Sequence, residues 1–419
     1  MNVLISPAGT EIGREIWLSL RHEKNITLFL AGADYDNHAR YSDLPYYILP
    51  GVNEDDWLPA LQLFTEQHHI DYIFPAHDDA LLAYAENQTV IAARIIAPSV
   101  QTCKLTRYKS KTYDALADVI NVPKCYATAD DIDSWPVFIK PDRGQGSQGA
   151  RRADSLAQLG NVFNGSMLVS EYLPGAEFTV DCFSSRNGGL LYCQARTRER
   201  VRAGISMGSE FVSLDGIEII AEKIQQKLQI FGVWFFQVKY AQNGQITLLE
   251  VAPRVAGTMA LTRVSGANLP LLALYEHSEI PVTLLPQYKH VRISRALSNA
   301  FTHNITWSHV YVDYDDTLVI KNTVCVKLVA FLYQCINQGN RCHLVTRHAG
   351  DIHQELNTRR LAQIFDTVTH LTCGEKKSSV IKQRDAIFID DSFTERLDVH
   401  QTIGIPTFDV SMLDLLIKE

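Results

Sequence analysis

The chain has 419 residues, of which 46% are hydrophobic and 21% charged, as in a soluble globular protein of more than one domain. Its formal net charge of -8, without any basic run, argues against a nucleic-acid-binding surface. No apolar run approaches the ~18–20 residues of a membrane span, and the N-terminus lacks the basic residues of a signal peptide. The eight cysteines form no C-x-x-C pair and no zinc spacing, which indicates reduced thiols and a cytoplasmic location.

Strands and helices alternate along the first hundred residues. Apolar runs predict strands at residues 2–6, 26–31, 72–75 and 94–97. Helices are predicted at residues 55–68 and 80–87. This alternation predicts a parallel α/β sheet, with ligand contacts at the carboxyl ends of its strands. The turn after the first strand lacks a full G-x-G-x-x-G, which argues against a nicotinamide cofactor there.

A basic helix and a glycine-rich loop come next. Residues 102–116 predict one helix, from which Lys109 could project toward a phosphate; a solvated charged face is the alternative. Residues 137–149 read V-F-I-K-P-D-R-G-Q-G-S-Q-G, a short apolar strand that delivers Lys140 and then a loop with three glycines. Backbone amides of such a loop can approach phosphate oxygens closely, and the lysine adds a positive charge. The spacing also satisfies G-x-G-x-x-G with Glu171 downstream, and a plain hairpin loop is a further alternative.

Two later segments place carboxylates where a nucleotide could use them. The strand at residues 167–172 runs into a hinge that carries Glu171 and Glu177, which could accept hydrogen bonds from an exocyclic amine and from ribose hydroxyls. Surface carboxylates beside a turn are the alternative. Two apolar strands then flank Asn243-Gly244, the residues preferred in a two-residue type I′ turn.

A turn centred on Asn243-Gly244 would place Gln237 directly opposite Glu250, on one face of the hairpin. Two oxygen ligands on an otherwise apolar face suit Mg²⁺, and a buried Gln–Glu hydrogen bond is the alternative. Arg254 follows closely and could clamp a phosphoryl group or a carboxylate.

Together these motifs resemble the ATP-grasp superfamily, including the carbamoyl phosphate synthetase large chain and the carboxylate–amine ligases, over about residues 1–300. The resemblance implies a pre-ATP-grasp α/β domain at residues 1–98 and an ATP-grasp domain at 99–300, with a mobile lid near 112–175. It implies ATP and Mg²⁺ as cofactors. The matching nucleotide positions are Lys109, Lys140, Gly146, Ser147, Glu171, Leu173 and Glu177, and the matching metal positions are Gln237 and Glu250.

The resemblance implies transfer of a phosphoryl group from ATP to a substrate carboxylate, followed by attack of an amine on the acyl phosphate. Arg254 matches the arginine of the family's N-P-R ending, and Arg196 or Arg198 matches the region that holds the acceptor carboxylate or phosphate. One departure is Ala252, which replaces the family's asparagine and removes an oxygen ligand of the second magnesium ion.

The last hundred residues predict a separate parallel sheet with polar groups at its strand ends. A strand that begins at residue 310 runs into Asp313 and Asp315, a second ends at Thr346, and a third ends at Asp390 and Asp391. A first carboxylate could attack phosphorus and a second could shuttle the proton of the leaving group, whereas an acidic turn is the alternative.

These motifs resemble the haloacid dehalogenase-like phosphohydrolases. The resemblance implies that Asp313 is the nucleophile, Asp315 the general acid/base, and Thr346 the residue whose hydroxyl binds phosphate. Lys377, or Lys376, is the charge-neutralising lysine. The resemblance implies that Asp390, assisted by Asp391, joins Asp313 and Asp315 at the magnesium ion. The short segment between the first two motifs leaves no room for a large cap, so the resemblance implies a capless Rossmann-like domain at residues 308–419.

The expected fold class is therefore α/β and α+β, and the expected function is an ATP-dependent ligase fused to a Mg²⁺-dependent phosphatase. Expected partners are a small-molecule carboxylate, an amine and a phosphorylated small molecule, without nucleic acid or membrane, and a homodimer is a candidate assembly. One alternative is an ATP-dependent kinase or carbamoyl-type phosphotransferase. Another, which rests on Ala252, is a nucleotide-binding regulatory protein with a degenerate metal site.

Overall fold

The computed structural model describes residues 1–144, 146, 148–202, 204–285, 288 and 290–418. The chain divides into two compact units, the first formed by Met1–Arg40 and Leu44–Leu297, the second by Tyr41–Asp43 and Ser298–Glu419. Among the described residues, no helix combines the length and the apolar character that a membrane crossing requires.

The first unit begins with a five-stranded parallel sheet of order β3-β2-β1-β4-β5. Its strands are β1 (Asn2–Ser6), β2 (Thr27–Gly32), β3 (Tyr46–Ile48), β4 (Tyr72–Pro75) and β5 (Arg94–Ile95), and its helices are α1 (Glu11–Leu20), α2 (Trp57–Gln67) and α3 (Asp78–Glu86). Both faces are apolar, and two separate core clusters cover them. The predicted parallel sheet is confirmed, and β3 adds a strand that the apolar pattern did not predict.

The basic segment that had predicted one helix forms two, α4 (Val100–Arg107) and α5 (Lys109–Leu116). Tyr108 interrupts them with an extended backbone, φ -113° and ψ 125°. The break frees the first amides of α5, and Asp142 accepts hydrogen bonds from Lys109 N–H at its carbonyl (3.1 Å) and from Ser110 N–H at its carboxylate (2.7 Å). This cap brings the start of α5 to the segment that precedes the glycine loop.

A small four-stranded antiparallel sheet of order β6-β9-β7-β8 carries the glycine loop. Its strands are β6 (Cys125–Tyr126), β7 (Val137–Pro141), β8 (Arg151–Ala153) and β9 (Met167–Glu171). One face buries an apolar cluster that includes Val137, Ile139 and Val169. The loop between β7 and β8 therefore projects from a packed platform.

A six-stranded antiparallel sheet of order β14-β13-β10-β11-β12-β15 completes the first unit. Its strands are β10 (Glu177–Ser184), β11 (Leu190–Thr197), β12 (Gly208–Val212), β13 (Gly232–Tyr240), β14 (Ile246–Ala252) and β15 (Arg292–Ser294), and its helices are α6 (Ile217–Leu228), α7 (Ala260–Val264) and α8 (Leu269–His277). One face packs on α6 through residues such as Trp234 and Phe236. Alternation then places Phe235 and Gln237 on the opposite face.

The β13–β14 hairpin pairs Gln237 with Glu250 as predicted, but the predicted two-residue turn is wrong. A turn of Asn243 and Gly244 alone would require paired residue numbers that sum to 487. Near the turn the sum is 486 instead, as in Val238 opposite Leu248. The loop therefore has three residues, the last of which is Gly244 with φ +78°. A β-bulge at Leu249 then adds one residue and shifts the sum to 487. Because the two features compensate, Gln237 and Glu250 still face each other.

The second unit holds a five-stranded parallel sheet of order β20-β19-β16-β21-β22. Its strands are β16 (His309–Val312), β19 (Arg341–Thr346), β20 (Thr367–His370), β21 (Ala386–Ile389) and β22 (Thr407–Phe408), beside a short hairpin of β17 (Val319–Ile320) and β18 (Thr323–Val324). The helices are α9 (Val326–Asn337), α10 (Ile352–Thr358), α11 (Phe393–Ile403) and α12 (Leu413–Leu416). The chain order reverses at β16, so a crevice opens at the carboxyl ends of β16, β19 and β21.

Candidate functional site

A pocket in the first unit lies between the small sheet and the six-stranded sheet. Of the seven residues predicted to contact a nucleotide, six line this pocket, and Ser147 lies outside the described residues. The six are Lys109, Lys140, Gly146, Glu171, Leu173 and Glu177, and Gln237 and Glu250 line the same pocket. Residues separated by more than a hundred positions in the chain thus share one wall.

Lys140 is the most buried cation of this pocket, with 7% of its surface exposed. Its Nζ donates a hydrogen bond to the hydroxyl of Tyr113 at 2.6 Å, and that hydroxyl donates to the carbonyl of Leu249 at 2.7 Å. Burial, together with repulsion from Lys109, lowers the pKa of Lys140 to about 8, against the attraction of Glu250. An anionic ligand would compensate this buried charge.

The glycine loop packs against a second loop of the first unit. The Lys109 ammonium donates to the carbonyl of Gly144 at 3.1 Å, which ties α5 to the loop. Gly146 has φ +62° and Gly204 has φ +74°, a conformation that favours glycine. A Cβ on Gly204 would lie 2.7 Å from the carbonyl oxygen of Gly146. Glycine at position 204 therefore allows the two loops to meet.

The predicted hinge residues Glu171, Leu173 and Glu177 line the pocket, and the two glutamates also contact other protein groups. Glu171 accepts a hydrogen bond from the backbone N–H of Lys124 at 2.9 Å, and Leu173 is 5% exposed. Glu177, predicted to contact ribose, is 2.6 Å from Nε of Arg198. Glu177, which was predicted to contact the nucleotide, and Arg198, which was predicted to hold the acceptor carboxylate or phosphate, thus form an ion pair.

Gln237 and Glu250 form a pair of oxygen donors at the pocket floor. They are direct partners across β13 and β14, so their side chains leave the same face of the sheet. Among the described residues, neither side chain has a hydrogen-bond partner, so the Gln–Glu hydrogen bond considered as an alternative is not formed there. Ala252, two residues after Glu250, is a buried apolar residue without an oxygen ligand.

Arg254 is held by Asp78, a residue that the motifs in the sequence did not single out. Its Nε and Nη2 donate to the two carboxylate oxygens of Asp78 at 2.6 and 2.7 Å. Burial raises the pKa of Asp78, but the Arg254 guanidinium outweighs burial and the pKa lies below its ordinary value. Asp78 opens α3 in a polar run, His77-Asp78-Asp79, at the carboxyl side of β4, where parallel sheets hold their ligands. A polar run at the carboxyl end of a predicted parallel strand is the feature of the sequence that could have indicated Asp78.

A second cavity of about 390 Å³ adjoins the nucleotide pocket and shares Gln237 and Glu250 with it. Arg196, Arg198 and Arg254 all line it. Arg196 is fully buried and bound to Asp181, at 2.9 Å from Nε and 3.0 Å from Nη2. Both arginines considered for the acceptor region thus reach one cavity.

The second unit gathers its predicted charged residues at the carboxyl end of its sheet. Nζ of Lys377 is 2.6 Å from Asp313 and 2.7 Å from Asp390, and all three side chains are buried. Burial and the neighbouring Asp390 raise the pKa of Asp313 to about 6, against the effect of Lys377. Burial opposes protonation of Lys377, but the two carboxylates outweigh it and raise its pKa. Lys376 instead binds Asp398 at 2.6 Å.

The remaining residues of this edge have distinct surroundings. Thr346 is fully buried at the end of β19. Asp315 contacts Nδ1 of His348 at 3.0 Å, a partner that the sequence did not indicate. Asp313, Asp390 and Asp391 have carboxylate oxygens close enough to share one metal ion, and Asp315 is not part of that group. Carboxylates gathered in this way suit Mg²⁺.

Comparison with known proteins bears on the first unit. Residues 164–296 match the family described as "ATP-grasp in the biosynthetic pathway with Ter operon". No curated protein sequence matches the chain.

Solved structures share the fold at low sequence identity. A biotin carboxylase from Campylobacter jejuni, in a complex with β-γ-ATP, is 17% identical, with a TM-score of 0.56, over 67% of this chain and 71% of that one. An L-amino acid ligase from Bacillus licheniformis is 18% identical, with a TM-score of 0.53, over 67% and 75%. An N5-carboxyaminoimidazole synthetase from Staphylococcus aureus, complexed with ADP, is 17% identical, with a TM-score of 0.54, over 68% and 78%. The chain is therefore an α/β protein with the ATP-grasp fold, and residues 164–296 match an ATP-grasp family.

Proposed function

We propose that the first unit is an ATP-dependent ligase that activates a substrate carboxylate as an acyl phosphate for attack by an amine. One observation carries the proposal: six predicted nucleotide contacts, scattered from Lys109 to Glu177, line one pocket together with Gln237 and Glu250. The ATP-grasp fold supports it independently. The adjoining cavity supplies room for a substrate beside the phosphate end of the nucleotide.

The residues of the pocket support this chemistry by position and charge. Lys140 and Lys109 would hold the phosphates under the glycine loop. Arg254 and Arg198, which line the substrate cavity, would stabilise the negative charge of the transferred phosphoryl group and of the acyl phosphate. The substrate carboxylate attacks the terminal phosphorus, ADP leaves, and the amine then displaces phosphate from the acyl carbon. Contact between the Gly146 and Gly204 loops would exclude water, which otherwise hydrolyses the acyl phosphate.

Gln237 and Glu250 are the residues that would hold Mg²⁺. Their side-chain oxygens share one face and have no hydrogen-bond partner among the described residues, which fits a hard cation. When bound, Mg²⁺ neutralises phosphate charge and orients the terminal phosphate. Ala252 leaves the ligand set one oxygen short of the family pattern, which favours a single firmly held ion.

An ADP-release screen tests this proposal. The full-length protein is incubated with MgATP and a panel of carboxylates and amines, and the Lys140→Ala variant is compared with Lys227→Ala, which alters an exposed lysine of α6. We expect release that depends on both substrates and is lost only in Lys140→Ala. Substrate-dependent release without amide formation would instead indicate the kinase alternative, and tight ATP binding without any turnover the regulatory one.

For the second unit, we propose a Mg²⁺-dependent phosphohydrolase of the haloacid dehalogenase-like type. The carrying observation is the Lys377 ammonium between the buried carboxylates of Asp313 and Asp390, at the switch point of a parallel sheet. Asp313 would attack phosphorus while Asp315 protonates the leaving oxygen. Asp315 would then deprotonate the water that cleaves the phospho-aspartate. Thr346 and Lys377 would bind the phosphate oxygens.

Hydrolysis of para-nitrophenyl phosphate and of phosphorylated metabolites by the full-length protein tests the second proposal. We expect Mg²⁺-dependent hydrolysis that Asp313→Asn abolishes. Asp316→Asn is a matched control, because Asp316 is exposed and has φ +54°, a conformation that asparagine also adopts. Equal hydrolysis by Asp313→Asn and the native protein would contradict the assigned nucleophile.

A further inference from the structure

A row of side chains crosses one face of the six-stranded sheet. Glu250 pairs with Gln237, and Gln237 pairs with Thr179 on the next strand. Thr179 in turn pairs with Arg196. Directly paired residues share a face, and neighbouring strands are about 4.8 Å apart, so the Arg196 backbone lies about 10 Å from that of Gln237. The row connects the candidate metal ligands to a second charged region of the same cavity.

Arg196, at the end of this row, has one guanidinium nitrogen without a hydrogen-bond partner among the described residues. Asp181 accepts hydrogen bonds from Nε and Nη2, and Thr262 donates a further one to Asp181 at 2.7 Å. Nη1 is buried and makes no hydrogen bond to any residue that the structure describes. Because an unsatisfied buried donor costs free energy, such a nitrogen at a cavity wall indicates a ligand.

Arg295, which directly follows β15, shows the same feature. Its Nη1 is also buried without a hydrogen bond to a described residue, and it lines the same cavity as Arg196. Burial lowers the pKa of Arg295, and Arg196 and Arg14 lower it further, against the attraction of Glu11 and Glu15. Like charges are thus held together at one end of the cavity.

The carboxylates near Arg295 are largely engaged by other arginines. Glu15 is 2.7 Å from Nε of Arg263, and Asp181 binds Arg196. Glu11 also attracts Arg295. A bound anion would accept hydrogen bonds from the Nη1 atoms of Arg196 and Arg295, which have no partner among the described residues.

We propose that the substrate carries a second anionic group, which Nη1 of Arg196 and Nη1 of Arg295 bind while the activated carboxylate lies toward Gln237 and Glu250. This inference rests on the proposed ligase function and names its substrate class. The class comprises linear dicarboxylates and phosphorylated carboxylic acids, whose second group is a carboxylate or a phosphate. The cavity volume of about 390 Å³ leaves room for both ends of such a molecule.

Binding to the full-length protein without ATP tests the site separately from the reaction. Isothermal titration calorimetry would compare dicarboxylates from malonate to adipate and 3-phosphoglycerate with butyrate, a monocarboxylate. The variants are Arg295→Gln and the matched control Arg292→Gln, an exposed arginine of β15 that pairs with Glu199 and Glu210. Thermal unfolding without ligand checks folding. We expect Arg295→Gln to be at least as stable as the native protein, because burial disfavours the charge that the substitution removes.

At least one dianion is expected to bind the native protein with clearly higher affinity than butyrate. Its affinity should fall by about tenfold or more in Arg295→Gln and should be unchanged in Arg292→Gln. Tighter binding of 3-phosphoglycerate than of every dicarboxylate identifies phosphate as the second group, and the reverse order identifies a carboxylate. Failure of all dianions to bind, or binding that Arg295→Gln leaves unchanged, overturns the inference.

Adding ATP separates this inference from the proposed function. Dianion binding that requires Arg295 but never leads to ADP release would contradict the ligase and retain the site. ADP release driven equally by monocarboxylates and dicarboxylates, and unaffected by Arg295→Gln, would retain the ligase and overturn the second anionic group.

Discussion

Asp78 binds Arg254 through two hydrogen bonds, at 2.6 Å from Nε and 2.7 Å from Nη2. The carboxylate lies at the first residue of α3, where the helix N-terminus also favours negative charge. The guanidinium follows β14 and lines the cavity of about 390 Å³. A bidentate contact fixes the guanidinium plane, so Asp78 acts as a positioning residue for the arginine that we assign to the phosphoryl group.

Asp78→Asn should therefore impair both stability and activity. An amide cannot neutralise the buried guanidinium and accepts a hydrogen bond through only one atom, so we expect a loss of about 2–3 kcal/mol in the free energy of unfolding. ADP release at saturating ATP should fall by about tenfold or more. Chemical denaturation and the ADP assay measure the two effects.

Asp118→Asn is the control for this change, because Asp118 forms an exposed ion pair with Lys227. That variant should unfold and react like the native protein. Native kinetics in Asp78→Asn would show that Arg254 does not require its partner.

The pKa of Lys140, about 8, predicts a pH-dependent affinity for ATP. The phosphates of ATP stabilise the Lys140 ammonium, so the pKa of Lys140 is higher in the ATP complex than in the free protein. Above pH 8 the complex therefore binds more protons than the free protein does. Affinity should then fall as pH rises from 8 toward 10, with proton uptake on binding. Calorimetry at pH 8.5 in two buffers of different ionisation enthalpy measures that uptake.

Lys140→Arg separates this effect from other titrations, because arginine stays protonated throughout the range. Its ATP affinity should be nearly independent of pH between 8 and 10. An equally steep decline in Lys140→Arg would assign the titration to another group.

Gly204→Ala should disturb closure of the glycine loop. The added Cβ would overlap the backbone of Gly146, and the residue would also have to keep φ +74°. We expect the KM for ATP to rise by about tenfold, because the two loops can no longer meet. Gly188→Ala is the matched control, since Gly188 has φ +88° but no atoms near the new Cβ. Similar KM values for the two variants would exclude the loop contact as the cause.

Lys377→Met should separate metal binding from hydrolysis in the second unit. Lys377 occupies carboxylate oxygens of Asp313 and Asp390, so its removal leaves more negative charge for Mg²⁺. We expect tighter Mg²⁺ binding, measured calorimetrically, and loss of phosphate-ester hydrolysis. Lys376→Met, which alters an exposed neighbour, should change neither. Native hydrolysis in Lys377→Met would contradict the role given to this lysine.

Local patterns predicted many of the strands, including β1, β7, β13, β14, β16 and β21, but not β3 or the three strands from β10 to β12. The parallel sheets follow from runs of apolar residues, and the Gln237–Glu250 pairing was predicted correctly although its turn was not. The bulge at Leu249 could not be foreseen, because an extra residue in one strand changes no residue type in the apolar pattern. Likewise, nothing in the composition of the 102–116 segment marks Tyr108 as a break, which tertiary contacts with Asp142 stabilise.

Contacts between distant segments were beyond the sequence patterns. Asp78 and Arg254 are separated by 176 positions, and Arg295 follows a strand of only three residues. No periodicity connects such residues, because their proximity depends on how whole layers pack. His348 was missed for a similar reason, since its partner Asp315 lies on a different segment.

The pocket beneath the glycine loop is proposed to bind ATP through Lys140. Isothermal titration of a non-hydrolysable ATP analogue with Mg²⁺ into the full-length protein tests it most directly. We predict one site per chain, binding that is at least about tenfold weaker in Lys140→Ala, and native binding in Lys227→Ala. Equal affinity of the native protein and Lys140→Ala would contradict the assignment.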